Sequence, residues 1–234
     1  MGNIDSNTIG QFILFMVALI FSLSVHESAH AWMSNRFGDD LARLQGRITL
    51  NPAAHVDPIG TLLFPAIAFF THIPIIGWAK PTPVNPLKWR NKRVANFWVS
   101  AAGVISNAII AIIAGVIMRV LYETHVVELY IHPYYGLGAE AISSSIIAQG
   151  AVKLVSGFFS LNVALAIFNL LPVPPLDGSK ILASILPDSF APAIEMLERF
   201  GFLLLMFLVF TGVFGVIFRI VMPLVSYPFV IGLS

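Results

Sequence analysis

The chain has 234 residues, 57% hydrophobic and 11% charged, with a mean hydropathy of +0.86; so few charges cannot cover a water-exposed surface, and a soluble globular domain is excluded. A net charge of +1 with no dense basic stripe gives no basis for a nucleic-acid partner. The absence of cysteine removes disulfides, iron–sulfur clusters, thiolate zinc sites and cysteine nucleophiles, so any metal must be held by His and carboxylate.

The long Ile, Leu, Val and Phe runs predict transmembrane helices; a barrel would show alternating segments of about ten residues. Met1 to Thr8 lacks the basic start of a signal peptide, so the first apolar segment, Ile9 to Met33, is expected to be retained. Arg43 to Leu50 then alternates polar and apolar residues up to Pro52, a strand pattern read as a surface hairpin or as an edge strand for an extended peptide. Ile59 to Ala79 is apolar but interrupted by Pro65, Pro74 and Gly77, which suits a segment that dips into the membrane and returns. Further spans are predicted at Val94 to Leu121, Ile146 to Leu171 and Phe200 to Val221.

Lys80, Lys88, Arg90, Lys92 and Arg93 precede the second span, whereas Tyr122 to Ser145 carries Glu123, Glu128 and Glu140 without Lys or Arg. The positive-inside rule puts the basic loop in the cytoplasm and the acidic loop outside. Trp78, Trp89 and Trp98 near the one, and Tyr122, Tyr130, Tyr134 and Tyr135 in the other, fit interfacial belts.

The first span contains His26-Glu27-Ser28-Ala29-His30. Imidazoles at i and i+4 project from one helical face and can grip one metal ion, while the adjacent Glu27 can take a proton from a metal-bound water and deliver it to a leaving amine. Three ionisable groups within five residues of a spanning helix are costly in hydrocarbon unless they face a metal or a water-filled cavity. A catalytic zinc with two His takes a third protein ligand and leaves a position open. Asp177 is the candidate: unlike the other carboxylates it stands at the end of an apolar span, after Pro172, Pro174 and Pro175. Ile9 to His26 and Leu154 to Leu171 are equal lengths of helix, about 25 Å each, so His26, His30 and Asp177 are expected to meet at one depth near the cytoplasmic boundary. Gly103 and Asn107 in the second span read as helix packing or an interhelical hydrogen bond. Asn169 has the same reading, with substrate-backbone binding as the alternative. His55 is read as a loop residue, and His72, His125 and His132 have no partner pattern.

These residues resemble the site-2 protease family of intramembrane zinc metalloproteases. The likeness rests on His26-Glu27-x-x-His30, Gly103-x-x-x-Asn107 and Asn169-x-x-Pro172-x-Pro174-x-Leu176-Asp177-Gly178, in that order, over about residues 12 to 182. It implies one zinc per chain on His26, His30 and Asp177, Glu27 as catalytic base, and Asn107 and Asn169 beside the substrate path. It further implies that residues 43 to 79 are membrane-associated strands and a loop. The absence of PDZ and CBS segments and of a span before the catalytic helix resembles the small prokaryotic branch.

The expected fold is an all-α polytopic membrane protein with about four transmembrane helices and a β-strand or re-entrant segment between the first two. It is expected to form one domain over 1–234, with a catalytic core at about 9–182 and a carboxyl-terminal transmembrane helix at about 200–221. The expected function is zinc-dependent hydrolysis of a peptide bond in or near a transmembrane segment of another protein. The partners are then the lipid bilayer and that substrate, and the location is a prokaryotic cell membrane with the active site near the cytoplasmic side. The competing reading, a metal-ion transporter or a non-proteolytic metal-binding membrane protein, would place ligands at several depths or lose Glu27 or Asp177. Nothing in the sequence fixes an oligomeric state.

Overall fold

The computed structural model describes residues 5–73 and 75–232; Pro74 and the start of the chain before Asp5, both used above, lie outside the described residues. Helix α1, Ser6–Arg36, begins where the Asp5 side chain accepts the Thr8 amide at 2.8 Å. It is followed by a single turn, α2, Leu41–Leu44. A wide turn at Pro58–Leu63 leads into α3, Phe64–Thr71. Helix α4, Lys92–Glu123, is capped by Asn91, which accepts the Val94 amide at 3.2 Å. An antiparallel hairpin follows, β1 (Val127–His132) with β2 (Gly136–Ala141), pairing Val127 with Ala141 and His132 with Gly136. The remaining helices are α5 (Ile146–Leu170), α6 (Asp177–Ile185), α7 (Ala191–Phe210) and α8 (Val213–Val230).

Among the described residues, α1, α4, α5 and α8 are long and apolar enough to cross a membrane. Lipid chains are as apolar as leucine, so association of such helices depends on close packing rather than on escape from water. Helix α4 supplies it. Its buried face is built from Ala95, Ala101, Ala102, Gly103, Ala111, Ala114 and Gly115, and it packs against α1, α5 and α6. Toward the other end of α4, Met118 joins Phe159 of α5, Met222 of α8, and Val127 and Leu137 of the hairpin in one apolar cluster. The hairpin thus closes that end of the bundle.

Two arginines of α4 cap neighbouring helices. Arg93 donates to the carbonyls of Ser184, Ile185 and Leu186 at 2.7, 3.0 and 2.6 Å, taking up acceptors that the end of α6 leaves unpaired. Arg119 does the same for Phe229 and Ile231 at the end of α8. Arg93 therefore ties α6, and the Asp177 at its start, to α4.

The structure corrects two boundaries. Residues 43–50 do not form a strand: α2 ends at Leu44, and Gly46, with a φ of +68°, lets the Arg47 amide reach back to the Ala42 carbonyl at 2.9 Å. The alternation there reflects a helix stop, with Arg47 turned inward to 5% exposure. The two strands lie instead between α4 and α5, where neither face reads as a period-two pattern because Gly136, Leu137, Gly138 and Ala139 are all buried. The second correction concerns the predicted span 200–221, which is broken at Gly212, left-handed at φ +75°. Helix α7 carries Glu195, Glu198 and Arg199, and the fourth spanning helix is α8.

The described residues of 59–79 double back on themselves. Helix α3 is about 12 Å long, His72 reverses the chain in a left-handed conformation at φ +56°, and the Trp78 amide donates to the Gly60 carbonyl at 3.1 Å. The two ends of the excursion are thus adjacent. Of the aromatic side chains expected in belts, Trp89 is instead 6% exposed and donates its indole N–H to Ser34.

Removal of the Arg93 cap is expected to loosen α6: Arg93→Ala should raise amide exchange across Asp177–Ile185 by about tenfold, the equivalent of about 1.4 kcal/mol, while leaving exchange in α5 unchanged, as read by hydrogen–deuterium exchange in detergent.

Candidate metal centre

His26 and His30 are one helical turn apart on the face of α1 that meets α4. Their rings fit because position 103 has no side chain: a Cβ built there would lie 2.5 Å from His26 Cε1 and 2.5 Å from His30 Nε2. Asp177 arrives from the opposite direction, at the first residue of α6, after the prolines that end α5. The structure brings the three side chains together. The two Nε2 atoms are 3.0 Å apart, and Asp177 Oδ2 lies 3.2 Å from that of His26 and 3.1 Å from that of His30. All three residues are at most 9% exposed. Glu27 stands beside them, its carboxylate within 4.8 Å of the imidazole donors.

The hydrogen bonds on the far sides of the rings decide what these atoms can do. His30 Nδ1 lies 2.6 Å from the Val99 carbonyl, which only accepts, so Nδ1 carries the proton and Nε2 presents a lone pair. His26 Nδ1 lies 2.6 Å from Asn107 Oδ1 in the same sense. Asp177 Oδ2 is buried without a hydrogen-bond donor. With both rings neutral, three lone pairs therefore converge in a buried site, an arrangement that calls for a metal ion or a proton among them. Donor atoms around a tetrahedral zinc with bonds of about 2.1 Å are about 3.4 Å apart, close to the spacing seen here. The donor set fits a zinc ion.

Glu27 is held by residues far away in sequence. Its Oε2 accepts the Thr82 amide at 2.8 Å, and the Thr82 hydroxyl donates to the Glu27 carbonyl at 2.9 Å. Thr82 belongs to a strap, residues 75–85, anchored on one side by Trp78 N–H to Gly60 and Lys80 N–H to His55 at 2.8 Å, and at its far end by Asn85 N–H to the buried Asp39 at 2.7 Å. The strap roofs a cavity of about 740 Å³ that opens onto His26, Glu27, His30 and Asp177. Asn169 lines this cavity; Asn107 does not. Asn107 is fully buried behind His26, so it faces the metal ligand and not the substrate path, contrary to what the resemblance implies.

His55 is not part of the metal cluster. It is 1% exposed and donates from Nε2 to the Thr49 carbonyl at 2.8 Å, while its own carbonyl holds the strap at Lys80. Arg47 donates to the Lys80 carbonyl from the same pocket. Burial pushes the His55 imidazole below its ordinary pKa; the Arg47 cation acts in the same direction, the Thr49 carbonyl and Glu27 against it.

Sequence reasoning passed over Thr82, Val99 and Asn162. Asn162 donates to Ser22 Oγ at 2.8 Å and accepts from Asn107 at 2.8 Å. A lone amide in an apolar span, two turns before Asn169, was the available signal. Val99 acts through its backbone and carries no signal at all.

A buried His-His pair on a helix long and apolar enough to span, met by Asp177 from the short helix α6 and with Glu27 adjacent, is the donor set of a membrane metallohydrolase. Residues 14–208 match peptidase family M50. The chain is 38% identical to the protein named "Putative zinc metalloprotease YwhC" of Bacillus subtilis, over 84% of this chain and 80% of that one. It is 29% identical to "Putative zinc metalloprotease Rip2" of Mycolicibacterium smegmatis, over 87% of this chain and 69% of the relative, and 26% identical to the Rip2 of Mycobacterium tuberculosis, over 89% and 73%. No solved structure matches significantly. The chain belongs to peptidase family M50, the family of zinc metalloproteases, and His26, Glu27 and His30 form its candidate metal cluster.

Two expectations follow from the geometry. Gly103→Val should displace the imidazoles and reduce zinc per chain to well below one, measured by metal analysis of the purified protein with helix content unchanged by circular dichroism. His55 favours its neutral form in the fold, so the stability it contributes is present above pH 6.5 and is lost as pH falls below that value toward the folded pKa. Thermal unfolding should therefore occur at lower temperature at pH 5.5 than at pH 7.5, and His55→Gln should shrink that difference.

Proposed function

We propose that this protein is an intramembrane-cleaving zinc endopeptidase that hydrolyses peptide bonds within or near transmembrane segments of other membrane proteins. The observation that carries the reading is the convergence of His26, His30 and Asp177, at 3.0 to 3.2 Å, on a cavity formed between apolar helices of spanning length. His26, His30 and Asp177 would hold one zinc, which when bound lowers the pKa of a water toward about 7 and polarises a carbonyl.

Glu27 is the general base and then the acid. Its carboxylate takes a proton from the attacking water and passes it to the leaving amine, and the Thr82 amide keeps it oriented between those positions. Lys180 Nζ, 3.8 Å from Asp177 Oδ1, balances charge on the outer side of that ligand.

A helical substrate hides its carbonyls in internal hydrogen bonds and must be extended before cleavage. Support for an extended binding mode comes from the strap. In an extended chain backbone groups alternate in direction, and the amides of Trp78, Lys80 and Thr82 are already engaged on one side. The strap lines the cavity through Gly77, Trp78, Ala79, Pro81 and Thr82, and the edge that carries the backbone groups of Gly77 and Ala79 is the one an unwound substrate would meet. Asn169, on the same cavity, is positioned for the substrate backbone.

The basic residues Lys80, Lys88, Arg90, Lys92 and Arg93 flank the metal-bearing end of the bundle, which supports a cytoplasmic location for the site in a cell membrane.

The test is Glu27→Gln, purified in detergent beside the wild type with zinc counted and a panel of single-span substrates supplied. The variant should retain one zinc per chain and lose cleavage by at least about a hundredfold; cleavage at the wild-type rate would remove Glu27 from the mechanism.

A further inference from the structure

We infer that Asn162 and Ser22 are positioning residues for the metal centre: they fix which way the Asn107 amide faces, and through it which nitrogen of His26 is free to bind metal. The inference rests on the metal-centre reading above and adds to it residues from beyond the ligands' immediate neighbours.

A neutral imidazole has one proton for two nitrogens. His26 can offer Nε2 only if Nδ1 holds that proton, and Nδ1 holds it only beside an acceptor. The neighbour at 2.6 Å is Asn107, whose amide has an acceptor end and a donor end of nearly the same shape. Turned by 180°, it would set an NH₂ group against Nδ1 and drive the proton to Nε2, where it would point into the other donors.

The chain of hydrogen bonds behind Asn107 prevents that turn. It ends on two backbone carbonyls, which can only accept. The Ser22 hydroxyl donates to the Ala18 carbonyl at 2.7 Å, so its oxygen is left to accept. The Asn162 NH₂ donates both to that oxygen and to the Phe158 carbonyl, each at 2.8 Å. Reversed, Asn162 would place its own oxygen against the Phe158 carbonyl. Its Oδ1 must therefore face Asn107 and take the Asn107 NH₂ at 2.8 Å, which leaves Asn107 Oδ1 for His26. Polarity runs from carbonyls on α1 and α5 across three side chains to the metal face of His26. Ser22, Asn107 and Asn162 are all 0% exposed, so water cannot replace a missing partner. His30 needs no relay, because Val99 offers it a carbonyl directly.

The test compares zinc affinity, by competition with a chelator, in the full chain in detergent for wild type, His26→Ala, Asn162→Leu, Ser22→Ala and Asn107→Asp, and for each of the two relay changes combined with Asn107→Asp. Asn162→Leu is expected to weaken zinc binding by about 10- to 100-fold, and Ser22→Ala less, since the Phe158 carbonyl still orients Asn162. Aspartate at 107 accepts with either oxygen, so in that background neither relay change should weaken binding further. Wild-type affinity in both Asn162→Leu and Ser22→Ala overturns the inference. So does a loss that Asn107→Asp does not rescue, which would mark a packing defect. Should Asn162→Leu fail to fold, Ser22→Ala, a near-isosteric change, carries both comparisons. A wild type without zinc, or a His26→Ala protein that binds it normally, would instead refute the metal-centre reading and leave the relay without an object.

Discussion

Three lone pairs pointing at one another in a water-poor interior are the constraint around which this molecule is arranged. Two imidazole nitrogens and one carboxylate oxygen stand within 3.2 Å of each other, and among the described residues Asp177 Oδ2 has no hydrogen-bond donor. Such a cluster calls for a metal ion or a proton at its centre, so the fold must both force the donors together and keep their far sides satisfied. Gly103 provides the room, Val99 and Asn107 take the Nδ1 protons, and the Arg93 cap holds the short helix that delivers Asp177. Each of these belongs to α4. The helix that forms the centre of the packing is also the one that orients the chemistry.

A second requirement follows from the first. A hydrolytic centre in a bilayer needs water and an extended substrate, yet exposed backbone in hydrocarbon is forbidden. On the reading proposed above, the strap would serve both conditions. Gly60, His55 and Glu27 engage its amides on one side, Asp39 holds its end, and the strap borders the cavity. The same backbone that roofs the site also holds the Glu27 carboxylate in place through the Thr82 amide. The pocket behind the strap, with Arg47 and a neutral His55, fastens it to the loop after α1.

Much of this was legible in the residues. Apolar runs gave three of the four spans to within a few residues, and prolines within 59–79 marked an excursion whose ends do meet. The misreadings have physical causes. In 43–50 a helix stop at Gly46 imitates strand alternation, because a left-handed glycine and an inward arginine produce the same polar spacing. In 200–221 hydropathy carried through Gly212, since composition does not register a single positive φ. Asn107, read from its residues as helix packing or an interhelical hydrogen bond and placed beside the substrate path only by the resemblance, bonds to α1 and α5.

What the sequence determined by itself was the solvent, the helices and the paired histidines, for these depend on composition and on spacings of a few residues along one helix. Equal depths of the first and third spans also placed Asp177 at the level of His26. The tertiary structure alone decided which nitrogen of each ring faces inward, that Thr82 holds Glu27 from 55 residues away, and that Asn162 stands behind Asn107, likewise 55 residues apart. Hydrogen-bond direction is a property of partners, and partners on different helices are chosen by packing, which local sequence does not encode.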